Sequence, residues 1–188
     1  SIADKFVEKI VARAKSFKLG NGADESVHIG PSVDESQFNT VLKYIDIGRE
    51  DGATLLCGGK KAEGDGLENG YFVEPTVFDH VTPDMRIARE EIFGPVLSVL
   101  RVKDFDAAMA VANDSEFGLS SSVFSNDYND INRFIDEIES GMTHVNSPTT
   151  GGEAHIPFGG IKATGIGGRE QGSTSLDFYT ELKVVYVD

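Results

Sequence analysis

Between Val96 and Val145 short apolar β-type runs alternate with amphipathic helical stretches, and that alternation narrows the folds open to the chain. Val96 to Val102 (VLSVLRV), Leu119 to Phe124 and Thr143 to Val145 have strand character. Between them Asp104 caps a helix carrying Phe105, Ala108, Met109 and Ala112. Tyr128, Ile131, Phe134, Ile135 and Ile138 mark a second helix that Gly141 closes. Strand–helix–strand–helix–strand with short links predicts parallel strands joined by right-handed crossovers, an α/β layered domain.

The flanks are less regular. Ser1-Ile2-Ala3-Asp4 has capping-box spacing. Behind it Ile2, Phe6, Val7, Ile10, Val11, Ala14 and Phe17 form one helical stripe that Gly20 and Gly22 stop. A second cap at Asp34 opens a helix with Phe38, Val41, Leu42 and Ile45 on one face, ending near Gly48 to Gly52. Leu55, Leu56 and Cys57 predict a short buried strand. Lys60 to Gly70 predicts a surface loop, and Tyr71 to Phe78 an extended segment because Pro75 breaks any helix. Asn146 to Gly172 holds eight glycines and predicts loop; Leu182 to Val187 is a strong β segment.

Composition excludes several classes of function. Seventeen Lys and Arg against thirty-one Asp and Glu give a net charge of −14, the wrong sign for nucleic acid or an anionic membrane surface. One cysteine among 188 residues permits neither a disulfide framework nor a cysteine-based zinc site. No apolar run reaches the ~18 residues of a membrane span and no signal peptide is visible, so the expected compartment is cytoplasmic. The first residue falls inside an expected helix, an unusual place for a natural protein to start.

Few residues invite chemistry. Cys57 lies in an apolar strand without a neighbouring cation to lower its pKa, so it is expected to be structural. The four histidines are scattered, with no pair at helical spacing and no H-E-x-x-H, so no metal site is expected. Gly159-Gly160-Ile161-Lys162 and Gly165 to Glu170 match neither a phosphate loop nor a completed G-x-G-x-x-G; glycines serving backbone turns are the better account. Glu90-Glu91-Ile92-Phe93-Gly94-Pro95-Val96 differs. An acid and an aromatic two residues apart, in a Gly-Pro bend before a strand, can point together into a cleft. There the carboxylate can accept two hydrogen bonds from a vicinal diol and the ring can pack on a flat heterocycle. A surface acid beside a core phenylalanine explains the same residues.

With E-E-I-F-G-P-V and P-F-G-G-I-K-A-T-G-I-G-G-R-E in that order, about sixty residues apart, the chain resembles the aldehyde dehydrogenase superfamily. G-P-S-V-D-E-S-Q-F, A-T-L-L-C-G-G, Y-F-V-E-P-T-V-F, E-F-G-L-S-S-S-V-F, V-N-S-P-T and Y-T-E-L-K-V-V-Y-V extend the likeness over essentially the whole sequence. The resemblance implies a three-layer α/β/α fold with an open, mainly parallel sheet and a protruding C-terminal β-strand. Residues 1–176 would form part of the catalytic domain and 177–188 the oligomerisation strand. It implies NAD or NADP as cofactor and a small-molecule aldehyde as substrate. In the family a cysteine thiolate adds to the aldehyde, hydride passes to the nicotinamide, and water hydrolyses the thioester.

Carried over by position, Glu91 matches the glutamate that holds the nicotinamide ribose hydroxyls and Phe93 the aromatic beside that ring. Gln37 matches a residue near the cofactor ribose, although its place in the Asp34 cap explains it equally well. Leu119 matches the leucine flanking the nicotinamide. Phe158 matches an aromatic of the aldehyde channel, and Asn146 begins the loop that shapes the substrate mouth. The terminal segment matches the strand that adds to a neighbouring subunit, implying a homo-oligomer.

The departures are equally specific. The family's G-Q-x-C nucleophile motif is absent, and Cys57 matches an ordinary strand position. The cofactor domain and the oxyanion asparagine are also unmatched, so no catalytic residue is assigned. The expectation is a C-terminal catalytic-domain fragment, inactive alone, of an NAD(P)-dependent aldehyde dehydrogenase. The alternative is a non-enzymatic truncated paralogue acting as an assembly module; a third reading, a complete enzyme using Cys57, conflicts with that residue's setting. V-N-S-P-T-T-G-G-E-A-H-I-P-F-G-G most resembles members that oxidise semialdehydes of dicarboxylic acids, although the loop contains no arginine to hold a distal carboxylate.

Overall fold

In the computed structural model, which describes residues 2–64 and 66–188, helices and strands are mixed within each of two units, Ser1–Arg101 and Val102–Asp188. The first contains α1 (Ala3–Lys15), α2 (Glu35–Glu50), β1 (Thr54–Cys57), β2 (Thr76–Asp79), the single-turn α3 (Arg86–Arg89) and β3 (Val96–Ser98). Its sheet has the order β1-β2-β3, with β1 antiparallel and β3 parallel to the central β2. All four residues of β2 are buried, as a strand covered on both faces requires. Phe38, Val41 and Ile45 of α2 pack in one core with Phe78, Ile87 and Ile92. The helix starts as expected: Asp34 is extended, and its carboxylate accepts the Gln37 N–H at 2.8 Å.

α2 ends at Glu50, within the Gly48 to Gly52 range expected. A Cβ at Gly48 would sit 3.0 Å from Phe78 and 3.1 Å from Ile87, so glycine lets the helix run past the sheet at close range. The start of α1 departs from the sequence reading: Ile2 occupies the N-cap position and makes no side-chain cap, and Ser1, the serine of the expected capping box, lies outside the described residues. Val7 and Ala14 of the α1 stripe are buried, whereas Ile2 and Phe6 are exposed. Asp79 is the unit's buried acid. Arg101 donates to it through Nε at 3.0 Å and Nη2 at 2.6 Å, and through Nη1 to Asp4 of α1 at 2.6 Å.

The second unit contains α4 (Phe105–Asn113), β4 (Phe117–Gly118), β5 (Ser120–Val123), α5 (Tyr128–Glu137), β6 (Met142–Val145), β7 (Ile161–Lys162), a 3₁₀ turn (Gly172–Thr174) and α6 (Ser175–Tyr179). Asp104 caps α4 by accepting the Ala107 N–H at 2.8 Å, and Asp127 caps α5 by accepting that of Asn129 at 2.8 Å. β5 and β6 pair in parallel from Ser120–Met142 to Val123–Val145, joined by α5. β4 and β7 pair antiparallel.

The mixed α/β class with parallel pairs is therefore as expected, but the partners differ. β3 pairs with β2 through the α3 connection, not with β5. A periodic pattern identifies strands; the ladder each one joins is chosen by packing that the pattern does not contain. Val96 to Val102 is regular only over Val96–Ser98, and Arg101/Val102 is where the two units divide. β7, the 3₁₀ turn and α6 fall in or just beyond a glycine-rich stretch that the sequence reading gives to loop. Finally, the C-terminal segment forms no strand. Leu182, Tyr186 and Val187 are exposed and in no ladder, because a strand exists only through hydrogen bonds to a neighbour and none of the described residues supplies them.

Candidate functional site

Within the first unit the segment from Glu90 to Gly94 links α3 to β3 and carries two of the residues singled out by sequence. Glu91 is exposed, and among the described residues nothing bonds its carboxylate. Ile92 turns into the core at 9% exposure, while Phe93 turns out at 77%. Phe93 has φ +54°, a left-handed conformation that costs a non-glycine residue ~1–3 kcal/mol and persists only where the surroundings impose it. The alternative that Phe93 is core packing is thereby removed: the ring is presented to solvent beside a free carboxylate.

The surroundings that impose it are visible. Gln37 Nε2 donates to both the Ile92 and the Phe93 carbonyl at 2.9 Å, so the side chain faces this segment. At Gly94 a Cβ would lie 2.4 Å from Val41, so only glycine lets the chain lie this close to α2. On the other side of Glu91, Glu90 accepts a two-pronged ion pair from Arg86 Nε and Nη2, both at 2.7 Å, and the Tyr44 hydroxyl donates to it at 2.5 Å. These donors hold the Glu90 carboxyl down at about 2, and the same contact pushes the Tyr44 phenol up. Tyr44, Arg86 and Glu90 carry no role in the sequence reading. The available signals were the i, i+4 spacing of Arg86 and Glu90 and the seven-residue spacing of Gln37 and Tyr44.

In the second unit Leu119 and Phe158 line one cleft of about 350 Å³, with Gly160, Thr164, Ile166 and Phe178. Paired backbone bonds between Phe158 and Glu170, at 2.7 and 2.9 Å, close the glycine-rich loop on itself, and Arg169 Nη1 ties it to the Gly160 carbonyl at 2.7 Å. Lys162 Nζ is spent on the carbonyls of Asn113 and Ser115 and on Glu139, so this loop is not a phosphate cradle. Asn146, at φ +54°, accepts from Ser125 N and donates to Ser125 O, both at 3.0 Å. One donor and one acceptor of its amide are thereby used in turning the chain after β6.

Cys57 is 9% exposed, and its thiol faces the Pro75 carbonyl at 3.7 Å. Burial pushes the thiol up, away from the reactive thiolate. A larger groove of about 440 Å³ lies between α1 and the start of β3, but its lining, including Ile10, Phe17, Val77 and Leu97, contains no acid that could grip a diol. Among the described residues no cluster of metal-ligating side chains exists, and no helix is long and apolar enough to cross a membrane.

Comparison with known proteins gives one consistent result. The model of the aldehyde dehydrogenase family matches residues 1–185. An alpha-ketoglutarate semialdehyde dehydrogenase of Haloferax volcanii is 52% identical over 186 residues, covering 98% of this chain and 38% of the relative. A betaine aldehyde dehydrogenase of Brucella anthropi is 45% identical over 188 residues, covering 100% of this chain and again 38% of the relative. Among solved structures, HpcC of Thermus thermophilus superposes with a TM-score of 0.91 at 40% identity, over 97% of this chain and 36% of that one. Betaine aldehyde dehydrogenase of Staphylococcus aureus in complex with NAD+ gives 0.90 at 38% identity, over 95% and 35%. The chain thus spans well under half the length of the relatives it matches.

Proposed function

Because the chain belongs to the aldehyde dehydrogenase family, we propose that it supplies cofactor and substrate contacts for the NAD(P)-dependent oxidation of an aldehyde in a longer protein. The observation that carries this reading is the strained, outward-facing Phe93 beside the unbonded carboxylate of Glu91. A carboxylate free of protein partners can accept both hydroxyls of a ribose, and an exposed ring can pack on the heterocycle attached to it. Those two groups fit a nicotinamide nucleoside. Bound there, the nicotinamide supplies the hydride acceptor.

The residues of this chain then bind and orient. In the first unit Glu91 holds the ribose diol and Phe93 packs beside the ring; in the second, by the family resemblance, Leu119 is a cofactor contact and Phe158 lines the path for the aldehyde, and the two share one cleft. Gln37 and Asn146 act through the backbone they hold, Gln37 on the Glu91 segment and Asn146 on the substrate loop. No residue here is assigned as nucleophile, since the single thiol is buried and raised in pKa. The 52% identity to a semialdehyde dehydrogenase, together with the Asn146 to Gly160 loop, favours a dicarboxylic semialdehyde as substrate. Of the segment 177–188, residues 177–179 close α6, and the unpaired 180–188 is suited to adding to the sheet of a second copy.

Three measurements on the 188-residue chain test the reading. Saturation-transfer NMR should show contact with the nicotinamide protons of NAD+, lost in Glu91→Ala. Aldehyde and NAD+ together should yield no reduced nicotinamide, and iodoacetamide should reach Cys57 only after denaturation. Turnover abolished by labelling Cys57 in the folded chain would make that thiol the nucleophile and overturn the reading.

A further inference from the structure

Two residues of α2 reach the Glu90–Gly94 segment, and they lie seven positions apart, two turns along one face of the helix, or ~10 Å. Gln37 holds the carbonyls of residues 92 and 93; Tyr44 holds the carboxylate of residue 90. Residue 91 lies between the two grips and touches neither. We propose that Gln37 and Tyr44 are a pair of positioning residues. They clamp the segment on both sides of Glu91 from one rigid helix and so fix where its carboxylate and the Phe93 ring are offered to a nucleotide.

The geometry gives each grip a distinct task. The amide nitrogen of Gln37 has two hydrogens, and both are used on consecutive carbonyls. Two consecutive carbonyls can point to one donor only if the backbone between them turns sharply, which is the left-handed turn found at Phe93. Tyr44 acts further back. Glu90 is already paired with Arg86 of α3, and the Arg86 guanidinium lies over the Tyr44 ring, 5.5 Å from its centroid. Tyr44 therefore ties the end of α3 to α2. The helix that carries both grips is itself fixed by two fully buried residues, Val41 between them in sequence and Ile45 just beyond Tyr44. Gln37 thus orders the cofactor residues without itself meeting the ribose.

This inference rests on the assignment of Glu91 and Phe93 to a nicotinamide nucleoside, and the experiment separates the two. Isotope-labelled 188-residue chain is compared with Gln37→Leu, which keeps bulk but loses the donor, with Tyr44→Phe, and with Gln37→Lys, which restores a donor. The first readout is the positive-φ signature of Phe93, its intraresidue amide–Hα NOE and coupling, in the absence of ligand. The second is the shift of the Glu91 resonances on titration with nicotinamide mononucleotide. Gln37→Leu should lose the Phe93 signature and bind the mononucleotide about five- to tenfold more weakly. Tyr44→Phe should weaken binding less, and Gln37→Lys should recover the signature in part. Should Gln37→Leu fail to fold, Tyr44→Phe and Gln37→Lys carry the same comparison. Variants that keep both the Phe93 signature and the wild-type titration overturn the clamp. A wild-type chain insensitive to the mononucleotide, with the Phe93 signature still lost in Gln37→Leu, upholds the clamp and overturns the nucleotide assignment instead.

Discussion

At the residue scale the chemistry of this chain depends on which polar groups are already spent. Glu90 and Glu91 are identical in sequence terms, yet one is bound by two donors and the other by none. That difference has a pH signature. The carboxyl of Glu90 lies near 2 when folded against an ordinary value of 4.5, so the folded state binds its proton less readily than the unfolded one. Its contribution to stability is complete above about pH 4.5 and is lost as the pH falls toward 2. Carboxyl-carbon NMR of labelled chain should accordingly show Glu90 titrating well below the bulk of the glutamates, and Arg86→Met should bring it back up. Asp79 is lowered in the same sense, chiefly by its hydrogen bonds from Arg101, so its contribution is likewise lost on acidification. Cys57 shows the converse case, a potentially reactive group kept unreactive by burial.

At the scale of elements, the aspartate caps and apolar stripes located α2 and α4, while α1 was located by its stripe without the expected cap. Asp34, Asp104 and Asp127 each accept a backbone N–H at the start of a helix, and a local hydrogen bond of this kind is written in a few adjacent residues. Asp34→Ala should cost ~1 kcal/mol of stability, read from urea midpoints at unchanged m-value. Because α2 carries the grips on the Glu91 segment, the same substitution should also loosen Phe93, which the NMR signature described above detects. Short elements were not legible. α3 is one turn and β7 is two residues long, too few for periodicity to register, and both exist because tertiary neighbours bond them.

At the scale of the whole molecule, a net charge of −14 and an exposed apolar tail act in opposite directions on self-association. Repulsion between copies is screened by salt, whereas burial of Leu182, Val184 and Tyr186 is not. Sedimentation velocity should therefore show association that rises with ionic strength and disappears when residues 181–188 are removed. Thermal unfolding of the truncated chain should be unchanged, since Leu182, Val184, Val185, Tyr186 and Val187 are all exposed and in no ladder. Association that survives truncation would assign the interface to another surface.

The sequence by itself determined the α/β class, the capped helices, the buried setting of Cys57 and the family, through the long motifs around Glu91 and Phe158. Each rests on local periodicity, on a side chain bonding its own backbone, or on residues adjacent in the chain. Tertiary structure alone decided that β3 joins β2, that Asn146 and Gln37 spend their amides on backbone, and that Glu91 is free where Glu90 is bound. Those outcomes depend on groups twenty to fifty-six residues apart meeting within hydrogen-bond range. Contact across such separations is set by how helices and strands pack, which no local pattern encodes.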